Sequence, residues 1–192
     1  MEIAFVTWNF WKFEEMKSRV HSNILLTQEE VELVEPQMES LTEISKYKAS
    51  KAFEALQKPL IVDDTWVYFN AFDNFPGAFW KFVFNWMWIN WLKKLFSSLD
   101  DSSWSMQTVI SYMEPGLDEP IAFVGKTEWS FNPWLIENNP KDGLPFNYIF
   151  IPDGWKHPVA SFPEEWSSGP SQRNQAVIKL NNYLEKNYKF IL

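Results

Sequence analysis

The spacing of apolar and polar positions divides the chain into short elements of two kinds. Glu2–Thr7, EIAFVT, is a β-rich apolar run. From about Phe10 to His21 the residues Phe13, Met16 and Val20 fall on one helical face at i, i+3 and i+7. Strand, tight connection and helix in that order open an α/β unit. A second extended run is predicted over Val31–Glu35, stopped by Pro36. The sequence SLTE, Ser40–Glu43, fits a capping box, with Ser at the cap and Glu three residues on. The helix it starts runs to about Gln57 on Ile44, Lys48, Phe53 and Leu56, with Lys48 the polar exception on that face. After Pro59, LIVDD does not alternate and reads as a strand buried on both faces, which WVYFNA either continues or follows with a second strand.

The second half repeats the alternation. NFPGAF is a turn that launches an aromatic helix within Ala78–Phe96, interrupted near Asn90. Ser103–Glu114 and Ile121–Trp129 read as antiparallel partners about the turn EPGLDEP. A loop rich in Asn and Pro covers Asn132–Pro145, NYIFIPDG is a buried strand and turn, and a final helix over Ser171–Asn187 buries Val177, Leu180 and Leu184. The expected architecture is α/β, a central mixed twisted sheet flanked by helices, with residues 1–192 forming a single domain in two lobes around a cleft.

Composition narrows what such a domain can do. The net charge of −8 argues against a nucleic acid polymer or an anionic membrane as partner, since both are held by neutralising phosphate. It leaves room for a small anionic ligand held by local Lys and Arg. With no cysteine, thiolate chemistry and disulfides are excluded, and two histidines disfavour a multi-His metal site, so any metal is expected to be hard and oxygen-ligated, Mg²⁺ or Mn²⁺. The most apolar window, Ala78–Phe96, carries Lys81, Lys93 and Lys94 and is too polar for a spanning helix of about 20 apolar residues. Because the sequence opens directly on a strand, the expected location is cytoplasmic. Twelve Trp against six Gly is unusual, and core or interface filling explains it more simply than a stacking platform for sugars or bases.

Three strand or helix ends combine polar groups, where α/β proteins gather ligands. Thr7, Asn9 and Lys12 follow the first strand; they suit a phosphate, or simply a capped helix with a solvated Lys. VDDT offers the paired carboxylates Asp63 and Asp64, able to hold a divalent cation or to act as general base on water, or else to stabilise a turn. Glu35 could complete the carboxylate set. Arg173 lies in the first turn of the last helix, against the macrodipole, as if held there by an anion.

Taken in order, TWNFWK, VEPQMES, DTW, FNAFDNFPGAFWKF, GKTEW, YIFIPDG and SQRNQA resemble the motifs of the inosine triphosphate pyrophosphatase family from Ile3 to Leu184. The resemblance implies a nucleotide cleft, a homodimer and Mg²⁺-dependent cleavage of non-standard purine nucleoside triphosphates (ITP, dITP, XTP) to the monophosphate and pyrophosphate. It makes Asp64 the general base and a metal ligand and Glu35 the other ligand. Thr7, Asn9, Lys12, Thr65 and Arg173 would hold substrate. The sequence departs from the family pattern at Trp8 and Trp66, which replace glycines, and at Pro145, Asn147, Ser167 and Gln172. Trp in place of Gly removes freedom at positive φ and close backbone approach, and its indole would take ligand volume. The alternative reading is a family-fold protein that is catalytically impaired and serves as a dimeric scaffold or binding protein.

Overall fold

The computed structural model describes residues 1–34, 36–86, 89–99, 101–131, 150–152 and 171–188. Its strands are β1 (Glu2–Val6), β2 (Leu25–Glu29), β3 (Leu60–Phe69), β4 (Pro76–Gly77), β5 (Ser103–Met113), β6 (Ile121–Phe131) and β7 (Phe150–Pro152). Its helices are α1 (Phe10–Lys17), α2 (Leu41–Leu56), α3 (Trp80–Trp86), α4 (Ile89–Phe96) and α5 (Gln172–Asn187), with a 3-10 turn at Asn70–Phe72. The strand order is β2-β1-β3-β5-β6-β7, with β4 added to β3. β1 runs parallel to β2 and β3, while β4 is antiparallel to β3 and β7 to β6, so the sheet is mixed, as expected.

The chain forms two compact units. The first comprises residues 1–65, 108–125 and 171–192, and the second residues 66–107 and 126–170. In the first, helices cover both faces of the sheet. Ile3 and Phe5 of β1 and Ile61 of β3 join Met16 of α1 and Ala176, Val177, Leu180 and Leu184 of α5 in one core. Ala4 and Val6, with Leu60 and Val62, join Ala49 and Ala52 of α2 in another. Side chains of a strand alternate between faces, so a strand covered on both sides loses its polar alternation. In the second unit Val67, Phe69, Phe96, Trp104 and Trp129 form a separate core, in which the indoles of Trp104 and Trp129 stack at 5.5 Å.

Several boundaries follow from local chemistry. Ser40 caps α2 by accepting from Glu43 N at 3.3 Å, and Gln57 ends the helix in the left-handed region at φ 52°. The two candidate segments at β3 are one strand of ten residues. Two expectations are corrected. The second strand is Leu25–Glu29, in register with β1 from Glu2↔Leu25 onward, and not Val31–Glu35. Val31 and Leu33 do turn inward onto the α2-side core, which mimics a strand pattern without a strand's pairing. α1 stops at Lys17, where Ser18 caps it, short of His21. The aromatic segment forms α3 up to Trp86 and α4 from Ile89, and the residues between, 87 and 88, lie outside the described ones. Among the described residues no helix is long and apolar enough to cross a membrane.

Among the described tryptophans, Trp66, Trp104 and Trp129 are buried, Trp80 is half-buried, and Trp8, Trp11 and Trp91 are exposed. Core filling therefore accounts for the first three. Trp104→Ala is expected to lower stability by about 3–5 kcal/mol through loss of buried volume, whereas Trp11→Ala should stay within about 0.5 kcal/mol. Urea unfolding of the two variants measures the contrast, and equal losses would contradict it.

Candidate active site

β3 runs past the end of β1. Their register pairs Ala4 with Leu60 and Phe5 with Ile61, and β1 stops at Val6, so Asp63, Asp64 and Thr65 extend beyond its carboxyl end. This is the position at which α/β folds bind ligands. Strand alternation then separates the neighbouring carboxylates. Asp63 follows Ile61 onto the face of α1 and α5, and Asp64 follows Val62 onto the face of α2. The sequence reading of a carboxylate pair is corrected accordingly: the two acids occupy different environments.

Asp63 is the centre of an ion network. Its side chain is fully buried, and Oδ1 lies 2.6 Å from the Lys12 ammonium of α1. Oδ2 accepts from Arg173 Nε of α5 at 2.9 Å. Arg173 also donates from Nη1 to Glu15 Oε2 at 2.6 Å and from Nη2 to Thr65 Oγ1 at 3.4 Å. Glu15 in turn pairs with Arg19 at 2.9 Å. Burial alone would push the Asp63 carboxyl up. The attraction of Arg173, then of Lys12, and the hydrogen bonds both donate override it and hold the group far below the usual carboxylate range. The anion that holds Arg173 at the helix start is thus the protein's own.

Asp64 is placed differently. Lys48 of α2 donates to its Oδ1 at 3.2 Å, while Oδ2 lies 3.1 Å from the same ammonium in a geometry that makes no hydrogen bond. Burial outweighs the attraction of Lys48 and Lys12, and the Asp64 carboxyl is raised above its ordinary value. A buried anionic oxygen with an unused lone pair fits a hard divalent cation, whereas both oxygens of Asp63 are taken. Among the described residues no group of three or more carboxylate or imidazole side chains could hold a metal alone. A small hard cation does not require one, because water and phosphate oxygens complete its shell.

The crossover from β1 to α1 is built by its own polar residues. Asn9 N donates to Thr7 Oγ1 at 3.1 Å, and Asn9 Oδ1 caps α1 by accepting from Lys12 N at 3.1 Å. Lys12 and Arg173 thus converge on Asp63, Thr65 accepts from Arg173, and Thr7 and Asn9 join them through the loop. Glu35 lies outside the described residues, as do Pro145, Asn147 and Ser167. Neither Trp8 nor Trp66 has a positive φ. Trp8 is 67% exposed, and Trp66 is buried in the second unit, its ring 6.3 Å from that of Tyr68. Neither backbone position therefore needs glycine's conformational freedom. Sequence reasoning passed over two functional side chains. Lys48 had a signal, as the one cation on an apolar helix face; Glu15 had none, because its link to Arg173 spans 158 residues.

Comparison with known proteins agrees with the fold. Residues 3–183 match the sequence profile of the Ham1 family. The dITP/XTP pyrophosphatase of Saccharolobus solfataricus is 31% identical over 96% of this chain and 94% of its own length. The inosine triphosphate pyrophosphatase of Yarrowia lipolytica is 29% identical over 96% of both chains. In structure, the Staphylococcus aureus Ham1 protein superposes with a TM-score of 0.81 over 98% of this chain and all of its own, at 19% identity, which establishes the shared fold.

Asp63→Asn is expected to cost about 3–5 kcal/mol at pH 7 in the metal-free protein, because it leaves Lys12 and Arg173 without their buried counter-charge. Folding depresses the Asp63 carboxyl, so its contribution is complete above the unfolded value of about 3.9 and is lost as the pH falls below it. Urea unfolding of parent and variant at pH 7 and pH 3 should therefore show a gap that narrows in acid. A gap of constant size would contradict the network.

Proposed function

The chain belongs to the Ham1 family, and from that membership and the geometry above we propose that it hydrolyses non-standard purine nucleoside triphosphates of the dITP, ITP and XTP class to the monophosphate and pyrophosphate. The observation that carries this reading is Asp64. It is a buried carboxylate beyond the end of β1, with both oxygens near the Lys48 ammonium and Oδ2 making no hydrogen bond.

In this proposal Asp64 accepts the proton of the water that is added across the bond between the α- and β-phosphates. Its raised affinity for a proton, which follows from burial, makes it a stronger base than an exposed carboxylate. Lys48 fixes the orientation of the carboxylate and reduces the charge the substrate meets. Asp64 and Glu35 would hold Mg²⁺, which when bound supplies charge neutralisation at the phosphate oxygens. Lys12 and Arg173 face the phosphates or sugar, and Thr65, Thr7 and Asn9 supply hydroxyl and amide groups. Residues 1–192 act as one domain in a cytoplasmic homodimer. The exposed side chains of Phe79, Phe82 and Trp91 offer apolar surface of the kind a dimer covers.

Pyrophosphate release from dITP or ITP with Mg²⁺ tests the proposal. Asp64→Asn should lower kcat by at least about 10²-fold, the scale expected when a general base is removed. Lys48→Ala should lower it by roughly tenfold to a hundredfold through loss of an oriented charge. A folded parent without release, or a variant at Asp64 that matches the parent, would sink the reading.

A further inference from the structure

We infer that Gly125 is a positioning residue, whose missing side chain lets the first turn of α5 lie against β6 and so seats Arg173 on Asp63. Its φ lies outside the left-handed region, so the backbone conformation there is open to any residue and the requirement is one of space. A β-carbon at this position would overlap the carbonyl oxygen of Gln172. It would also stand 2.8 Å from the carbonyl carbon of Gln172 and 2.9 Å from Ala176 N. Two of these atoms belong to Gln172 at the start of α5 and the third to Ala176 one turn on; all are backbone atoms, so no rotamer change relieves the overlap.

The rest of α5 cannot easily retreat. Ala176, Val177, Leu180 and Leu184 are fixed in the core under β1 and β3, and Lys179 Nζ donates to Val124 O at 2.6 Å. The free response is for the first turn to shift, and that turn carries Arg173 one residue after Gln172. The Arg173–Asp63 bond at 2.9 Å and the Arg173–Glu15 bond at 2.6 Å have little slack for such a movement. A displacement of about 1 Å at a substrate-facing group is enough to lower turnover by about 10²-fold. As far as turnover is concerned, this inference rests on the function proposed above; its structural part does not.

The test combines Gly125→Ala with two readouts. The first is independent of activity: the Nε–H proton of Arg173, bonded to buried Asp63, should be protected from solvent exchange by NMR in the parent and lose that protection in Gly125→Ala. The second is kcat/KM for pyrophosphate release in a cycle with Arg173→Ala. Gly125→Ala should lower it by about 10²-fold in the parent and by less than about twofold once Arg173 is absent, because a residue acting through another is silent without it. The fall in melting temperature, by contrast, should be the same in both backgrounds. Persistent protection in Gly125→Ala, or an undiminished fall in kcat/KM in the Arg173→Ala background, would overturn the inference. If Gly125→Ala does not fold, Lys179→Ala decides: removing this other tie between α5 and β6 should leave both the protected proton and kcat/KM unchanged, and loss of either would transfer the role to Lys179. An inactive but folded parent would overturn the proposed function, and the exchange measurement would still judge Gly125.

Discussion

A single buried carboxylate holds the first unit of this protein together. Asp63 receives Lys12 from α1 and Arg173 from α5, and it lies on the strand that both helices cover. Burying that anion in an apolar layer would be prohibitive without charged partners. Their presence fixes where each helix begins relative to the strand. Arg173 stands at the end of a helix whose dipole opposes it, and the opposing anion is what makes that placement stable. The two cations that would meet substrate are therefore set in place before any ligand arrives.

The neighbouring carboxylate has the opposite character. Asp63 is held ionised by its surroundings, while Asp64 is pushed toward its proton by them, although the two are adjacent in sequence. One environment stabilises the fold, and the other suits the base of the proposed reaction. The contrast arises from the partners available on each face. The α1 and α5 face brings Lys12 and Arg173 to Asp63, and the α2 face brings Lys48, which satisfies one oxygen by a hydrogen bond and leaves the other available. Groups whose surroundings drive their proton affinities apart are a common basis for dividing chemical roles within a site.

Much of this was legible in the sequence where the determinant is local. Ser40 and Glu43 mark the start of α2 because a cap bond reaches only three residues. The helix with Val177, Leu180 and Leu184 buries those three side chains because its period matches the core face. The strand LIVDD could be read from its lack of alternation. The errors came from non-local determinants. Val31 and Leu33 pack inward like strand residues, but β1 pairs with Leu25–Glu29, a choice made by backbone hydrogen bonding between distant segments. Asp63 and Asp64 looked like a pair because they are adjacent; the two-residue period of a strand, which already separated them, carries more weight. Lys48 was visible as an anomaly on its helix, and its meaning depended on knowing which strand that helix covers.

The register of β3 against β1 carries a consequence for how tolerant this segment is to change. Leu60 and Ile61 pair with Ala4 and Phe5, and in an extended strand an odd-numbered slip turns every side chain to the opposite face. A single residue inserted between Pro59 and Val62 would thus turn both acids to the opposite faces. The structural anion would take the place beside Lys48, and the prospective base would take the place of Thr65 on the face of α1 and α5. Pro59 to Val62 contain no reactive group, yet their number decides which acid becomes which. The length of an inert apolar run is therefore part of the encoding of the site's chemistry.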